Sequence, residues 1–454
     1  MKSHDYVNAQ ADRFVEQLKA LIRIPSVSTD PQRVGDVRRA AEWIAADLRR
    51  VGMKVVEIIP TPRHPVVYGE WLGAGPDAPT VLIYGHYDVQ PAALEDGWTS
   101  DPFEPVEREG FLYARGASDD KGQVFAHLKA AEALLAENGA PVNLKFLIEG
   151  EEEIGSPNLN AVVESYRGRL KADVCVISDG GMPAIDQPAI IYALRGLVGM
   201  ELEVTGPSQD LHSGQFGGTV HNPAQALAEI VAALHRPDGS VAVPGFYDEV
   251  LPLAEDERAE LAKTALSEAD WRRMTGAPQP WGEAEYRLHE RIGARPTLEI
   301  NGLSGGFAGA GFKTVLPARA LAKISCRLVA NQDPQRIYER IRDYVASITP
   351  PTVRSELRLL QGSGPGFVDR HMPAMQAAIA AYEKGWGARP VFMREGGSIP
   401  IVTGFQRVLG VPVVLMGFGL NDDGAHGPDE HFSLEMFRRG IHTAIAFYEE
   451  LAQL

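Results

Sequence analysis

Cysteine is nearly missing from this chain: among 454 residues only Cys175 and Cys326 occur, each inside an apolar run. Two isolated, strand-embedded cysteines read as small buried hydrophobes and argue against a disulfide framework. Positive charge is also in deficit. Lys and Arg number 44 against 60 Asp and Glu, a formal net charge of −16. That balance argues against nucleic acid or an anionic membrane surface as partner, because both demand clustered Lys and Arg. Long apolar runs are lacking, and nothing approaches the ~20 residues of a membrane span. The opening residues Met1 to Tyr6 lead into an amphipathic segment without the apolar centre of a signal peptide. Together these absences predict a cytoplasmic protein. No internal repeat or low-complexity tract is present, and 454 residues exceed what one core usually serves, so two domains are expected.

What is present alternates. Helical spacing of apolar residues marks Arg13 to Arg23 and Val37 to Val51, the latter stopped by Gly52. Apolar runs read as strands at Lys54–Ile59, Thr80–Tyr84, Asn143–Ile148 and Asp173–Ile177, with helical stretches at Gly122–Asn138 and Leu159–Tyr166. This pattern predicts an α/β domain around a largely parallel sheet, where ligands bind beyond the carboxyl ends of the strands. Near Leu194 the character changes. Val198 to Thr205 alternates with period two, a helix follows at Pro223–Leu234, and further strands read at Thr297–Ile300, Ala320–Leu328 and Val353–Leu360 around a helix at Pro334–Ile348. The stretch Pro244 to Gly282 reads as a helical insertion of unassigned role. The α/β pattern returns after Gly366. The expectation is an α/β domain made of residues 1–194 and 364–454, interrupted by an α+β domain of residues 195–363.

Five short segments deliver metal-type side chains where apolar runs end: His86 in Gly85-His86-Tyr87-Asp88, Asp119 in Gly116-Ala117-Ser118-Asp119-Asp120, Glu152 and Glu153 in Gly150-Glu151-Glu152-Glu153-Ile154-Gly155, Asp179 in Ile177-Ser178-Asp179, and His426 in Gly424-Ala425-His426-Gly427. Two imidazoles with three or four carboxylates are the ligand mixture of a two-metal hydrolytic site. Asp119, Glu153 and Asp179 bring three negative charges and two divalent cations four positive ones. A bridging hydroxide would cancel the remainder and act as nucleophile. Asp119 is the natural bridge, having two oxygens, with His86 and His426 capping opposite metals. Glu152 is left as general base, and Asp88 is placed to accept the other N–H of His86. Mixed sites of this kind take Zn²⁺, with Mn²⁺ or Co²⁺ as alternatives.

These motifs resemble the di-zinc exopeptidases that include carboxypeptidase G, aminoacylase, succinyl-diaminopimelate desuccinylase and carnosinase, and within them the cytosolic non-specific dipeptidases of carnosinase type. The likeness runs from Leu21-Ile22-Arg23-Ile24-Pro25 to Gly424-Ala425-His426. It implies metal ligands at His86, Asp119, Glu153, Asp179 and His426, a base at Glu152, a histidine-supporting Asp88, and a cis peptide at Asp119–Asp120. It makes the inserted domain a lid and dimerisation domain, with His212 of Asp210-Leu211-His212-Ser213-Gly214 donating to the oxyanion, across the subunit interface in dimeric relatives. The chain has no doubled lid, so the resemblance implies a homodimer. It places a grip on the substrate carboxylate at Thr314 and Arg327, and a receiving segment at Arg394 to Pro400, where Glu395 pairs with an α-ammonium and Ser398 with the carboxylate end.

The implied activity is hydrolysis of dipeptides with free termini, by a metal-bridging hydroxide with Glu152 as base. N-acyl amino acid deacylation or desuccinylation, and carboxypeptidase action on longer peptides, are the alternatives. Two features depart from the carnosinase pattern. Asp179 is followed by Gly180-Gly181-Met182-Pro183 where larger aromatic residues are usual, and Asp422-Asp423 add unassigned charge beside His426.

Overall fold

The computed structural model describes residues 3–397 and 400–454. The described residues form two compact units, one of residues 3–192, 368–393 and 400–454, the other of residues 193–367 and 394–397.

The first unit is built on a large mixed sheet. Its order begins Val55–Ile59, Val66–Trp71, Asn143–Glu149, Thr80–His86, Val174–Ile177, Val413–Leu415, Ala189–Leu194. Asn143–Glu149, Thr80–His86, Val174–Ile177 and Val413–Leu415 run parallel. The pairings of Val55–Ile59, Val66–Trp71 and Ala189–Leu194 are antiparallel. The expected parallel sheet is therefore its centre, and the strand Val66–Trp71, unread in the sequence, lies between Val55–Ile59 and Asn143–Glu149. Parallel central strands are buried on both faces, which is why Asn143–Glu149 is buried at every position.

Val37, Ala41, Ile44, Leu48 and Val51 form the buried stripe of the helix Val34–Val51. The helix Lys121–Glu137 is different: it is buried on nearly all sides, between the terminal helix Leu434–Leu451 and the helices Ser3–Ala9, Ala11–Ile22 and Val34–Val51. Its polar residues therefore need partners inside the protein. Lys129 Nζ reaches Asp47 Oδ2 at 2.9 Å and Glu132 Oε2 at 3.0 Å, while Arg50 and Arg13 approach Glu132 at 2.6 Å.

The second unit holds an antiparallel four-stranded sheet in the order Thr297–Gly305, Arg319–Leu328, Gly196–Thr205, Arg354–Ser363. The helices Pro223–Ala233 and Pro334–Ile348 cover one face, closing a core of Val198, Met200, Leu202, Ile324, Leu227 and Ile341. The stretch Pro244 to Gly282 contains short helices at Glu255–Leu261 and Glu268–Thr275. Glu257 of the first pairs with Arg394, and Arg258 with Glu290 at 2.7 Å. Arg394 to Gly397 thus group with the second unit, although the sequence pattern assigns them to the first.

Glu132 gives a direct test of the buried charge network. Burial alone would raise its pKa, but Arg50, Lys129 and Arg13 outweigh burial and lower it to about 2. A carboxyl whose folded pKa is depressed contributes stability above its unfolded value near 4.5, and that contribution is lost as pH falls towards 2. Glu132→Gln should cost ~3 kcal/mol at pH 7. In thermal melts the gap from wild type should narrow steadily between about pH 4.5 and pH 2.

Candidate metal centre

The carboxyl ends of the central parallel strands lie along one edge, and the candidate ligands are delivered there. His86 is the last residue of Thr80–His86, and Asp179 follows Val174–Ile177 by two positions. Glu152 and Glu153 open a helical turn just past Asn143–Glu149. Asp119 immediately precedes Asp120, the N-cap of Lys121–Glu137, where the helix dipole favours anionic groups. The Asp119–Asp120 peptide is cis, as the resemblance implies. Strand and helix meet closely here: a Cβ on Gly85 would fall 2.6 Å from both Asp120 Oδ2 and Val124 Cγ2, so no larger residue fits without a shift.

Two ligand groups result, and they share one residue. His86, Asp119 and Asp179 form one, and Asp119, Glu153 and His426 the other. His86 Nε2 lies 3.1 Å from Asp119 Oδ1 and 3.7 Å from Asp179 Oδ2. His426 Nε2 lies 3.0 Å from the other oxygen, Asp119 Oδ2, and 3.2 Å from Glu153 Oε2. Ligands ~2.1 Å from a common tetrahedral ion are separated by about 3.4 Å. The residues therefore suit a small divalent cation in each group.

Electrostatics agree with the spacing. Burial opposes a charge on His86, but Asp119 and Asp88 outweigh it and raise its pKa well above the usual value. Asp119 and Glu153 raise His426 to about 10. Asp119 responds in the opposite sense: burial would raise it, yet bonds with His426 and His86 hold it below the ordinary carboxylate range. The carboxylates thus favour positive charge at both imidazoles, a role that a bound cation would take over.

Glu152 is set apart from these ligands. Burial, reinforced by Asp179, Glu153 and Asp88 against the opposing influence of His86, pushes its pKa up to about 8. Asp88 does more than expected. His86 Nδ1 is nearest its backbone oxygen at 3.0 Å, with the carboxylate at 3.4 Å. That carboxylate accepts from Glu152 N at 3.2 Å and Glu153 N at 3.1 Å, so one side chain orients both the histidine and the glutamate turn.

Several contributors escaped the sequence reading. Buried Glu149 accepts from Tyr84 Oη at 2.6 Å and Ser156 Oγ at 2.7 Å, and burial pushes its pKa up to about 7. Asp120 Oδ2 accepts from His86 N at 3.1 Å. Unassigned Asp423 is buried and accepts from Ser118 Oγ at 2.7 Å and Leu420 N at 2.8 Å, while Asp422 stays exposed. Gly181-Met182 pairs in parallel with Gly419-Leu420, and a Cβ on Gly181 would fall 2.5 Å from Asn421 Oδ1. The small residues after Asp179 therefore admit the segment leading to His426. For Glu149 the sequence offers no signal beyond a carboxylate at a strand end.

The remaining predicted residues belong to the second unit. His212 and Thr314 share a short ribbon in which Leu211-His212 pairs with Val315-Leu316, and Ser213 N donates to Thr314 O at 3.1 Å. His212 Nδ1 accepts from Gly214 N at 3.0 Å, which leaves the proton of a neutral ring on Nε2. Arg327 is half-buried on Arg319–Leu328, opposite Leu197 and Thr297. Arg195 Nε donates to Gly396 O at 3.2 Å; burial and the neighbouring Arg327 lower its pKa to about 10. Burial pushes the Glu395 carboxyl up. Ser398 lies outside the described residues.

Residues 82–450 match the family profile described as "Peptidase family M20/M25/M40". The chain is 34% identical over 479 residues to the Cys-Gly metallodipeptidase dug1 of Schizosaccharomyces pombe, covering 100% of this chain and 98% of the relative. It is 34% identical over 471 residues to the Beta-Ala-His dipeptidase of Homo sapiens, covering 100% and 93%. Among solved structures, the M20 family metallo-carboxypeptidase Sso-CP2 from Sulfolobus solfataricus superposes with a TM-score of 0.85 at 31% identity, covering 97% and 99%.

Asp88→Asn replaces one acceptor oxygen by an amide donor, which cannot satisfy the backbone N–H that faces it. Affinity for a divalent cation, measured by chelator competition, should fall about 10–100-fold, while the far-ultraviolet circular dichroism stays unchanged.

Proposed function

Because this chain belongs to peptidase family M20/M25/M40, we propose that it is a two-metal dipeptidase cleaving the peptide bond of dipeptides with free termini. The observation that carries this reading is the pair of ligand groups joined through Asp119, with a third carboxyl, Glu152, beside them. The two relatives described above, both matched over nearly their full length and named as dipeptidases, support the substrate class.

His86, Asp119 and Asp179 would hold one ion and Asp119, Glu153 and His426 the other; Zn²⁺ is proposed for both, since imidazole and carboxylate together suit it. Bound there, divalent cations supply Lewis-acid polarisation of the scissile carbonyl and an acidified water. Glu152 takes the proton of the attacking water and returns it to the leaving amine, a role that suits a carboxyl whose proton affinity has been raised by burial. Asp88 keeps His86 and the glutamate turn in register through both exchanges. We assign substrate recognition to the second unit: His212 Nε2–H to the oxyanion, Thr314 and Arg327 to the substrate carboxylate, and Glu395 to its α-ammonium. Ser398 is proposed as a further carboxylate contact.

The same reading includes a homodimer through the second unit, whose sheet has Thr297–Gly305 and Arg354–Ser363 as its outer strands, with Leu303 and Leu360 exposed. Sedimentation velocity would report it. Two buried, unpaired cysteines suit a reducing cytoplasm. Among the described residues no helix is long and apolar enough to cross a membrane.

The decisive assay is amine release from dipeptides, tripeptides and N-acyl amino acids by the zinc-reconstituted protein. Activity should be confined to dipeptides, and Glu152→Gln should lower kcat by about 10²–10⁴ without changing metal content. Tripeptide cleavage would point instead to a carboxypeptidase, a reading favoured by the likeness to Sso-CP2, and N-acyl amino acid cleavage to a deacylase. Glu395→Gln should raise KM for dipeptides about tenfold or more by removing a charged partner of the ammonium. An unchanged KM would remove Glu395 from the recognition scheme.

A further inference from the structure

The two ligand groups are built by different means. His86 and Asp179 come from the ends of adjacent parallel strands, and His86 is buried, with its backbone N–H bonded to Asp120 and its Nδ1 facing Asp88 O. His426 sits on the connection between Gly419–Leu420 and His431–Ser433, at a φ of 63°, with its side chain 58% exposed. A left-handed backbone is unfavourable for a non-glycine residue and persists only where its surroundings enforce it.

The enforcing contacts converge on Glu430, four residues beyond His426. Its carboxylate is fully buried. Oε2 accepts from Arg115 Nη1 at 2.6 Å and Gly116 N at 3.0 Å. Oε1 accepts from Ser118 N at 2.9 Å and from the backbone N of Asp119 itself at 3.0 Å. Arg115 then reaches back, Nη2 donating to Gly427 O at 3.1 Å, beside His426. The main chain adds Ala114 N to Glu430 O at 2.9 Å. One carboxylate therefore grips the backbone of the shared ligand and, through Arg115, the backbone next to the exposed ligand.

We propose that Glu430, acting with Arg115, is a positioning residue that keeps the Asp119–Glu153–His426 group assembled for its metal ion, while the His86–Asp119–Asp179 group is held mainly by the sheet. This inference rests on the two-metal reading above. Neither residue is a ligand. In Glu430→Gln one end of the side chain would present an amide to two N–H donors, and the buried Arg115 would lose its counter-charge. Outer partners of this kind typically change metal affinity 10–100-fold when lost.

The test titrates Co²⁺ into the metal-free full-length protein, following visible absorption and the cobalt retained after gel filtration. The variants are Glu430→Gln, Arg115→Lys and Glu132→Gln, the last a buried-charge control that touches no ligand segment. Wild type should bind two equivalents. Glu430→Gln should bind the first with little change and the second 10–100-fold more weakly, Arg115→Lys should follow in the same direction, and Glu132→Gln should keep both while melting earlier. Wild-type affinity for both equivalents in Glu430→Gln, or equal weakening of both, overturns the inference and leaves the two-metal reading standing. A single equivalent in wild type overturns that reading and the inference with it. If Glu430→Gln does not fold, Arg115→Lys decides: selective weakening of the second equivalent supports the proposal, and unchanged binding overturns it.

Discussion

One carboxylate, that of Asp119, has to face two imidazoles at once, with Oδ1 3.1 Å from His86 and Oδ2 3.0 Å from His426. A side chain shared in this way has no freedom left in either torsion, so its backbone must be fixed independently of what it binds. The start of Lys121–Glu137 does this on one side, and the hydrogen bond from its own backbone N–H to Glu430 does it on the other. The helix is in turn locked by its own burial beneath four others. Sheet, buried helix and the connection holding His426 are thus parts of one support for a single residue.

That support accumulates negative charge. Asp88, Asp120, Glu149 and Glu430 are all buried around three carboxylate ligands. Buried carboxylates are tolerable only when hydrogen-bonded or neutralised. Most of these are met by backbone amides, Tyr84, Ser156 and Arg115. Among the described residues, Asp120 Oδ1 and Glu149 Oε2 have no partner. The two histidines lie against these carboxylates, which raise their affinity for a proton. A divalent cation bound there would relieve this crowding of negative charge, and its binding would be linked to the folding of the first unit.

The sequence disclosed what depends on short range and hid what depends on pairing across distance. Parallel central strands advertise themselves as apolar runs, and the side chains at their ends inherit a common edge, which is why His86, Glu153 and Asp179 could be grouped from pattern alone. Val66–Trp71 went unread because Pro65 and Gly69 obscure its alternation, and an antiparallel strand inserted between two others leaves no local mark. Glu430 and Arg115 are 315 residues apart, each unremarkable in its neighbourhood. The assignment of Arg394 to Gly397 failed for the same reason: its partner Glu257 lies in a stretch whose composition says only that it is helical and exposed.

The order in which the chain supplies its ligands has a further consequence. His86, Asp119, Glu153 and Asp179 all precede the second unit, whereas His426 follows it. A nascent chain therefore carries four of the proposed ligands and the proposed base, Glu152, through the synthesis of the whole second unit, without the fifth and without Glu430. On the proposed assignment, the site can be completed only after the second unit has been synthesised.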